Sequence, residues 1–414
     1  MSRHRLVLLL SSLLAGCTDP TAPPLGPDGK QDSVDDTRTV QQLRDGTIDA
    51  KAGLLKISRS GGWPVELDGG FVFARLDDGG GPYQLAGDFN NWNPAAMVGN
   101  HGVFLTTVPI GDARNLKYKF VDGNGAFHPD PMARRYAYDG EGEISLVRTE
   151  AAHLEQYPEM TDGVLKPRTV RVWVPTESPT HQLYVNDGQN LFDPGALSGG
   201  WRLDLAAGPA TMLVGIDNTA DRFEEYTHIE DDIAELGGRI GGKLGDRYVD
   251  FVDTQVRALI EKRYGKASVV GVMGSSLGGL IAYHQALRHP GRYQFAASLS
   301  GTFDWGSFGL HNPTMIERYA EAGKRPIALY LDSGGGPPSG GCVDTDHDGI
   351  MDDSVAGSEA LDNFCETRQL ADTLAGLGYQ FDRDLVHFWE PNAQHNEAAW
   401  RARADKPMGM FEAL

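Results

Sequence analysis

The chain has 414 residues, 40% of them apolar and 9% aromatic, which is enough for two domains with proper cores and excludes bulk disorder. Its 57 acidic and 37 basic side chains leave a formal charge of -20. That balance argues against nucleic acid and anionic polymers as partners, because backbone phosphates are neutralised by Lys and Arg.

At the N-terminus Arg3 and Arg5 precede an apolar stretch, 6–14, too short to span a bilayer as a helix. Leu14-Ala15-Gly16-Cys17 follows and resembles a bacterial lipoprotein lipobox. The resemblance implies a signal peptide over 1–16, a lipidated Cys17 and a Pro-rich tether over 17–50, with prolines at 20, 23, 24 and 27. The mature chain is then expected as an exported lipoprotein of the outer membrane or cell surface, meeting the membrane only through its anchor. An ordinary secretory signal would export it equally. With Cys17 set aside, Cys342 and Cys365 form an even pair in an oxidising compartment, and a disulfide between them is expected.

Residues 51–150 have the texture of a small all-β domain: short alternating runs such as 71–76, 103–108 and 116–121, separated by Gly, Asn, Asp and Pro clusters. Gly87-Asp88-Phe89-Asn90-Asn91-Trp92-Asn93, then Lys117-Tyr118-Lys119-Phe120-Val121-Asp122-Gly123, then Asp130-Pro131 resemble the glycogen-binding, isoamylase-N-terminal-like modules, which are Ig-like sandwiches. By that resemblance Trp92 and Lys119 would engage carbohydrate, through aromatic stacking and a polar contact. A purely structural module is the alternative.

From residue 151 onward strands alternate with helices. Runs at 170–174, 182–186, 211–216, 269–273, 295–299, 327–331 and 385–389 read as strands, several of them continuously apolar. That suits a mostly parallel sheet buried on both faces, an α/β fold. Apolar residues at 248, 251, 252, 256, 259 and 260 recur at helical spacing before Gly265, and a second helix runs over 361–377 to Gly378. Between the run 269–273 and the helix-like run 280–287 stands Gly274-Ser275-Ser276-Leu277-Gly278. This G-x-S-x-G string, strand before and helix after, is the pattern of a nucleophile elbow with Ser276 at its apex. Gly274 and Gly278 leave room for strand and helix to approach.

Between the paired cysteines lies Asp344-Thr345-Asp346-His347-Asp348-Gly349-Ile350-Met351-Asp352-Asp353, within an insertion at about 334–365. Carboxylates at positions 1, 3 and 5 with Gly at 6 fold a chain around a hard cation. Val355 stands where an EF-hand carries Glu, so the loop resembles the shorter calcium loops of dockerin or thrombospondin repeats. A structural Ca²⁺ is expected on Asp344, Asp346, Asp348, the Ile350 carbonyl, and Asp352 or Asp353.

Leu183 to Phe192 (LYVNDGQNLF), Arg222 with Glu225-Tyr226-Thr227, the Ser276 elbow and His395-Asn396-Glu397-Ala398-Ala399-Trp400 together resemble the esterase D and enterochelin-esterase-like branch of the α/β-hydrolases. The resemblance implies a carboxylic ester hydrolase with Ser276 as nucleophile and His395 as general base, in the chain order Ser, acid, His. Backbone N–H groups of Leu277 and Gln189 would form the oxyanion hole, with Gly188 letting that backbone approach the substrate. Relatives carry the acid two or three residues after a glycine ending the preceding strand. Here Gly334 runs into Gly335-Gly336-Pro337-Pro338, so Asp332 is taken as the acid, with Asp344, Asp362 or a Ser-His dyad as substitutes. The expected substrates are esters, first acyl groups on polysaccharide; a catecholate trilactone siderophore and non-catalytic glycan binding are the alternatives.

Overall fold

The computed structural model describes residues 34–67, 69–233, 238–351 and 362–414. The signal segment, Cys17, Asp352 and Asp353 lie outside the described residues. No described helix is long and apolar enough to cross a membrane.

The tether expected through residue 50 gives way at Val34 to two helices, Val34–Asp45 and Ala50–Ser58. Val40, Leu43, Leu54 and Ile57 are buried against Trp63, Val65 and Val72, so apolar spacing in this polar stretch builds a small core of its own. Asp49 caps the second helix, accepting from the Ala52 N–H at 2.8 Å.

Strands Val65–Leu67, Gly70–Leu76, Val103–Val108 and Val98–Asn100 pair antiparallel in that order. Their inner face, with Phe71 and Phe73, packs on Leu85, Tyr118 and Phe120 from strands Gln84–Gly87 and Lys117–Val121. The result is a two-sheet sandwich with the helices on its outer side. Its second sheet continues through Gly142–Leu146 and Arg135–Asp139 and does not end there. Tyr136 and Arg135 pair antiparallel with Leu154 and Glu155, the first rung into the following half of the chain.

That half contributes strands β1 (His153–Met160), β2 (Arg168–Val174), β3 (His181–Asn186), β4 (Thr211–Ile216), β5 (Val269–Ser275), β6 (Phe295–Leu299), β7 (Ala328–Ser333) and β8 (Leu385–Trp389). The spatial order is β8-β7-β6-β5-β3-β4-β2-β1. From β8 to β4 all pairs are parallel, and β2 runs antiparallel to its neighbours. Central strands β4 to β7 are buried along their whole length, as their unbroken apolar runs require when helices cover both faces. The fold is thus α/β, an α/β-hydrolase sheet preceded by a β-rich N-terminal region. The helix before Gly265 departs from a uniform period: it runs as Gly245–Phe251 and Arg257–Tyr264, with a π turn over Val252–Val256 between.

Candidate active site

Ser276 sits between β5 and the helix Leu277–Arg288, at φ 55° and ψ -129°, a conformation that L residues rarely adopt. The chain can turn there because a Cβ at Gly274 would run into the Gly278 carbonyl, and one at Gly278 would lie 3.0 Å from Asp187 Oδ2. The elbow glycines therefore have the steric role their spacing suggested. Leu277, as the first residue of the helix, has an N–H with no intrahelical acceptor.

The Asp187 loop approaches from β3. Asp187 takes φ 60° and ψ 47° and opens a single 3-10 turn, Gly188–Asn190, which carries Gln189. Arg222 holds it by two bonds to the Asp187 carboxylate, 2.8 and 2.9 Å, and Asn218 adds a third at 2.6 Å. The neighbouring Asn186 donates to the Gly278 carbonyl at 2.9 Å and accepts from Tyr248 Oη at 2.7 Å, which ties this loop to the helix bearing Leu277. Arg222 thus shapes the loop, and Glu225 forms a buried pair with Arg168 at 2.6 Å. Gly188 also has a packing role. A Cβ there would stand 2.6 Å from the Gly215 carbonyl carbon in β4, so the glycine serves packing against the sheet.

The acid also needs correction. Asp332, at the end of β7, is fully buried and turned toward Arg403, 3.0 Å from its Nε, and accepts from Tyr330 Oη at 3.0 Å. Burial raises its carboxyl to about 7, against the pull of Arg403 and Tyr330. His395 Nδ1 lies 2.7 Å from Asp362 Oδ1 instead. The other oxygen of Asp362 accepts from the Gly334 N–H and from Ser300 Oγ, the latter at 2.7 Å. Gly334 immediately follows β7, so the carboxylate reaches the end of the acid strand in space although it lies 28 residues further along the chain. Asp344, the other substitute, belongs to the acidic loop.

An ionised carboxylate accepts only, so the His395 proton belongs on Nδ1 and leaves Nε2 as a base. Trp400 stands edge-on to the His395 ring at 5.1 Å. The elbow joins this network through β6: the Ser276 N–H donates to Leu299 O at 3.0 Å, and the next residue, Ser300, bonds Asp362. Among the described residues no hydrogen bond joins Ser276 Oγ to His395; such contacts commonly tighten on substrate binding. Glu397, 6% exposed, accepts from Asn190 Nδ2 at 3.1 Å and links the His395 segment to the Asp187 loop. Burial, with the Asp187 charge, raises its carboxyl above the usual range.

Residues outside this cluster fall as follows. Cys342 and Cys365 are disulfide-bonded, Cα atoms 5.5 Å apart. Asp344 accepts from the N–H groups of Asp348 and Gly349 at 3.1 and 2.9 Å, and Asp348 from that of Ile350 at 2.8 Å. His311 Nδ1 comes within 3.4 Å of Asp348 Oδ2, beside Asp346. In the sandwich, Trp92 is half-buried with its indole N–H given to Asp88 at 2.9 Å, and Lys119 is only 8% exposed. Asn186 and Glu397 lie within the motif strings of the sequence with no role of their own there, whereas Ser300 and Arg403 lie outside them. Arg403 had a readable signal, since it shares a helical face with Trp400, and Ser300 had none.

A serine elbow, a histidine with a carboxylate on its Nδ1 and a backbone loop facing the nucleophile's helix define a serine hydrolase of the α/β class. Residues 162–406, more than half of the chain, match the Esterase family, described as "Putative esterase", and the chain belongs to that family. The uncharacterized protein YbbA of Bacillus subtilis (strain 168) is 28% identical over 136 residues, 29% of this chain and 49% of that relative, so the match spans about half of its length. Among solved structures the chain is similar to the enterobactin esterase FES of Shigella flexneri, at 15% identity and TM-score 0.45, covering 83% of this chain and 93% of that one. It is also similar to an IroE-like serine hydrolase of Shewanella oneidensis, at 18% identity and TM-score 0.48, covering 63% and 80%.

Proposed function

We propose that Ser276, His395 and Asp362 form the catalytic triad of an exported, lipid-anchored esterase, with the N–H groups of Leu277 and Gln189 as oxyanion hole. The observation that carries this is the 2.7 Å contact between His395 Nδ1 and Asp362 beside the elbow. Ser276 Oγ attacks the ester carbonyl while Nε2 of His395 takes its proton. Asp362 stabilises the imidazolium that forms, and the carbonyl oxygen becomes an oxyanion held by the two N–H groups. His395 then gives the proton to the departing alcohol. Water repeats the sequence on the acyl-enzyme and frees the acid.

Acyl groups on polysaccharide are the substrate class we favour, with Trp92 and Lys119 as the glycan contact. The second reading, a catecholate lactone, corresponds to what the enterobactin esterase is named for. Ca²⁺ on Asp344, Asp346 and Asp348 would be structural. The purified protein should hydrolyse a p-nitrophenyl acyl ester, and Ser276→Ala should lower kcat by about 10⁶. Undiminished turnover in that variant would sink the mechanism. Acetylated xylan, feruloylated oligosaccharide and a ferric catecholate lactone, compared by kcat/KM, separate the substrate readings.

A further inference from the structure

Ser300 follows β6, is fully buried, and holds φ 50°, the left-handed region that favours glycine. A non-glycine residue persists there only where its surroundings over-determine it. Its hydroxyl has three partners: Asp362 Oδ2 at 2.7 Å, Trp400 Nε1 at 3.0 Å and Arg403 Nη2 at 2.6 Å. The indole and guanidinium groups only donate, so both lone pairs of the hydroxyl are taken. Its single proton has one place left to go, the Asp362 carboxylate.

The main chain of Ser300 is bound as firmly. Its N–H donates to the Asp332 carbonyl at 2.9 Å, and its carbonyl accepts from Asn363 Nδ2 at 2.8 Å. Asp332 in turn holds Arg403 at 3.0 Å, which aims the guanidinium at Ser300. The residue expected as the acid is therefore part of the support for the residue found in its place.

We propose that Ser300 is a positioning residue for the triad acid: its hydroxyl, oriented by Trp400 and Arg403, fixes the rotation of the Asp362 carboxylate so that Oδ1 faces His395. An acid on a distant loop must be aimed through space, and Ser300 supplies that aim from β6, beside the Gly334 N–H at the end of β7. The inference rests on the reading of Asp362 and His395 as triad members.

Ser300→Ala and Ser300→Gly test it; glycine suits the backbone at φ 50°, so it keeps the test open if the alanine variant misfolds. On a p-nitrophenyl ester, kcat should fall about tenfold to a hundredfold with KM within about twofold of the native value. The low-field Nδ1 proton resonance of His395 should shift or broaden, which a merely structural role would not produce. Native kcat in a folded Ser300 variant, or lost turnover with that resonance unmoved, would overturn the proposal. Asp362→Asn is the control. Native turnover there removes the triad reading itself, whereas an approximately 10⁴-fold loss beside unaffected Ser300 variants removes only the role given to Ser300.

Discussion

Two carboxylates near the end of β7 divide the labour that one carries in a simpler site. Asp362 accepts from donors and is free to face His395, while Asp332 is enclosed with Arg403 and Tyr330. Enclosure raises the Asp332 carboxyl to about 7, well above its unfolded range near 4. The folded state therefore holds that proton more tightly than the unfolded state does. The resulting stability is complete below about pH 4 and is lost as pH rises through about 7, a contribution on the order of a few kcal/mol. Asp332→Asn, which resembles the protonated form, should flatten the native decline in Tm between these limits. Parallel Tm–pH curves for the two proteins would refute the assignment.

Strands were the legible elements. The run 211–216 coincides with β4 and 295–299 with β6, because a strand buried on both faces must be apolar throughout, and 385–389 coincides with the half-buried edge strand β8. The π turn at Val252–Val256 escaped, since one extra residue shifts the period that the pattern relies on, and Asp253 is buried there against Tyr293. Asp362 escaped as a first choice for a related reason. Its place depends on how the insertion folds back to Gly334, and no local spacing encodes that. Asp362 lies inside the segment closed by Cys342 and Cys365, three residues before the second cysteine. Reduction, or paired Cys342→Ser and Cys365→Ser, should lower kcat more than it raises KM. A displacement of the acid by about an ångström costs on the order of a hundredfold, and unchanged kcat on reduction would show that the loop holds without its bond. Calcium acting on the same insertion should appear as a higher Tm with Ca²⁺ than with chelator; superimposable melting curves would rule it out.

At the scale of the molecule, the sandwich and the hydrolase half share one sheet of 14 strands among the described residues. Composition separated the two halves, and nothing in either half announced the rung between Tyr136 and Leu154, because a single strand pairing leaves no periodic mark. The junction is enforced by side chains: Glu155 lies within 3.9 Å of Arg134 and 3.8 Å of Arg135. Burial pushes the Glu155 carboxyl up, but His153 and the two arginines overcome this and hold it well below the usual range. Tyr136, from the sandwich, is buried in the hydrolase core. The whole chain should melt in one calorimetric transition, and a chain beginning at Ala151 should aggregate through the uncovered edge of β1. Two well-separated transitions in the intact protein would contradict this. A shared sheet also gives the enzyme a bearing. Were the sandwich hung on a flexible linker, the Ser276 mouth could swing to meet esters from any side. Mounted on a shared sheet, it keeps one direction relative to the sandwich. An ester on a chain lying along that side of the sandwich would be in reach, and the same ester displayed on the opposite side would not.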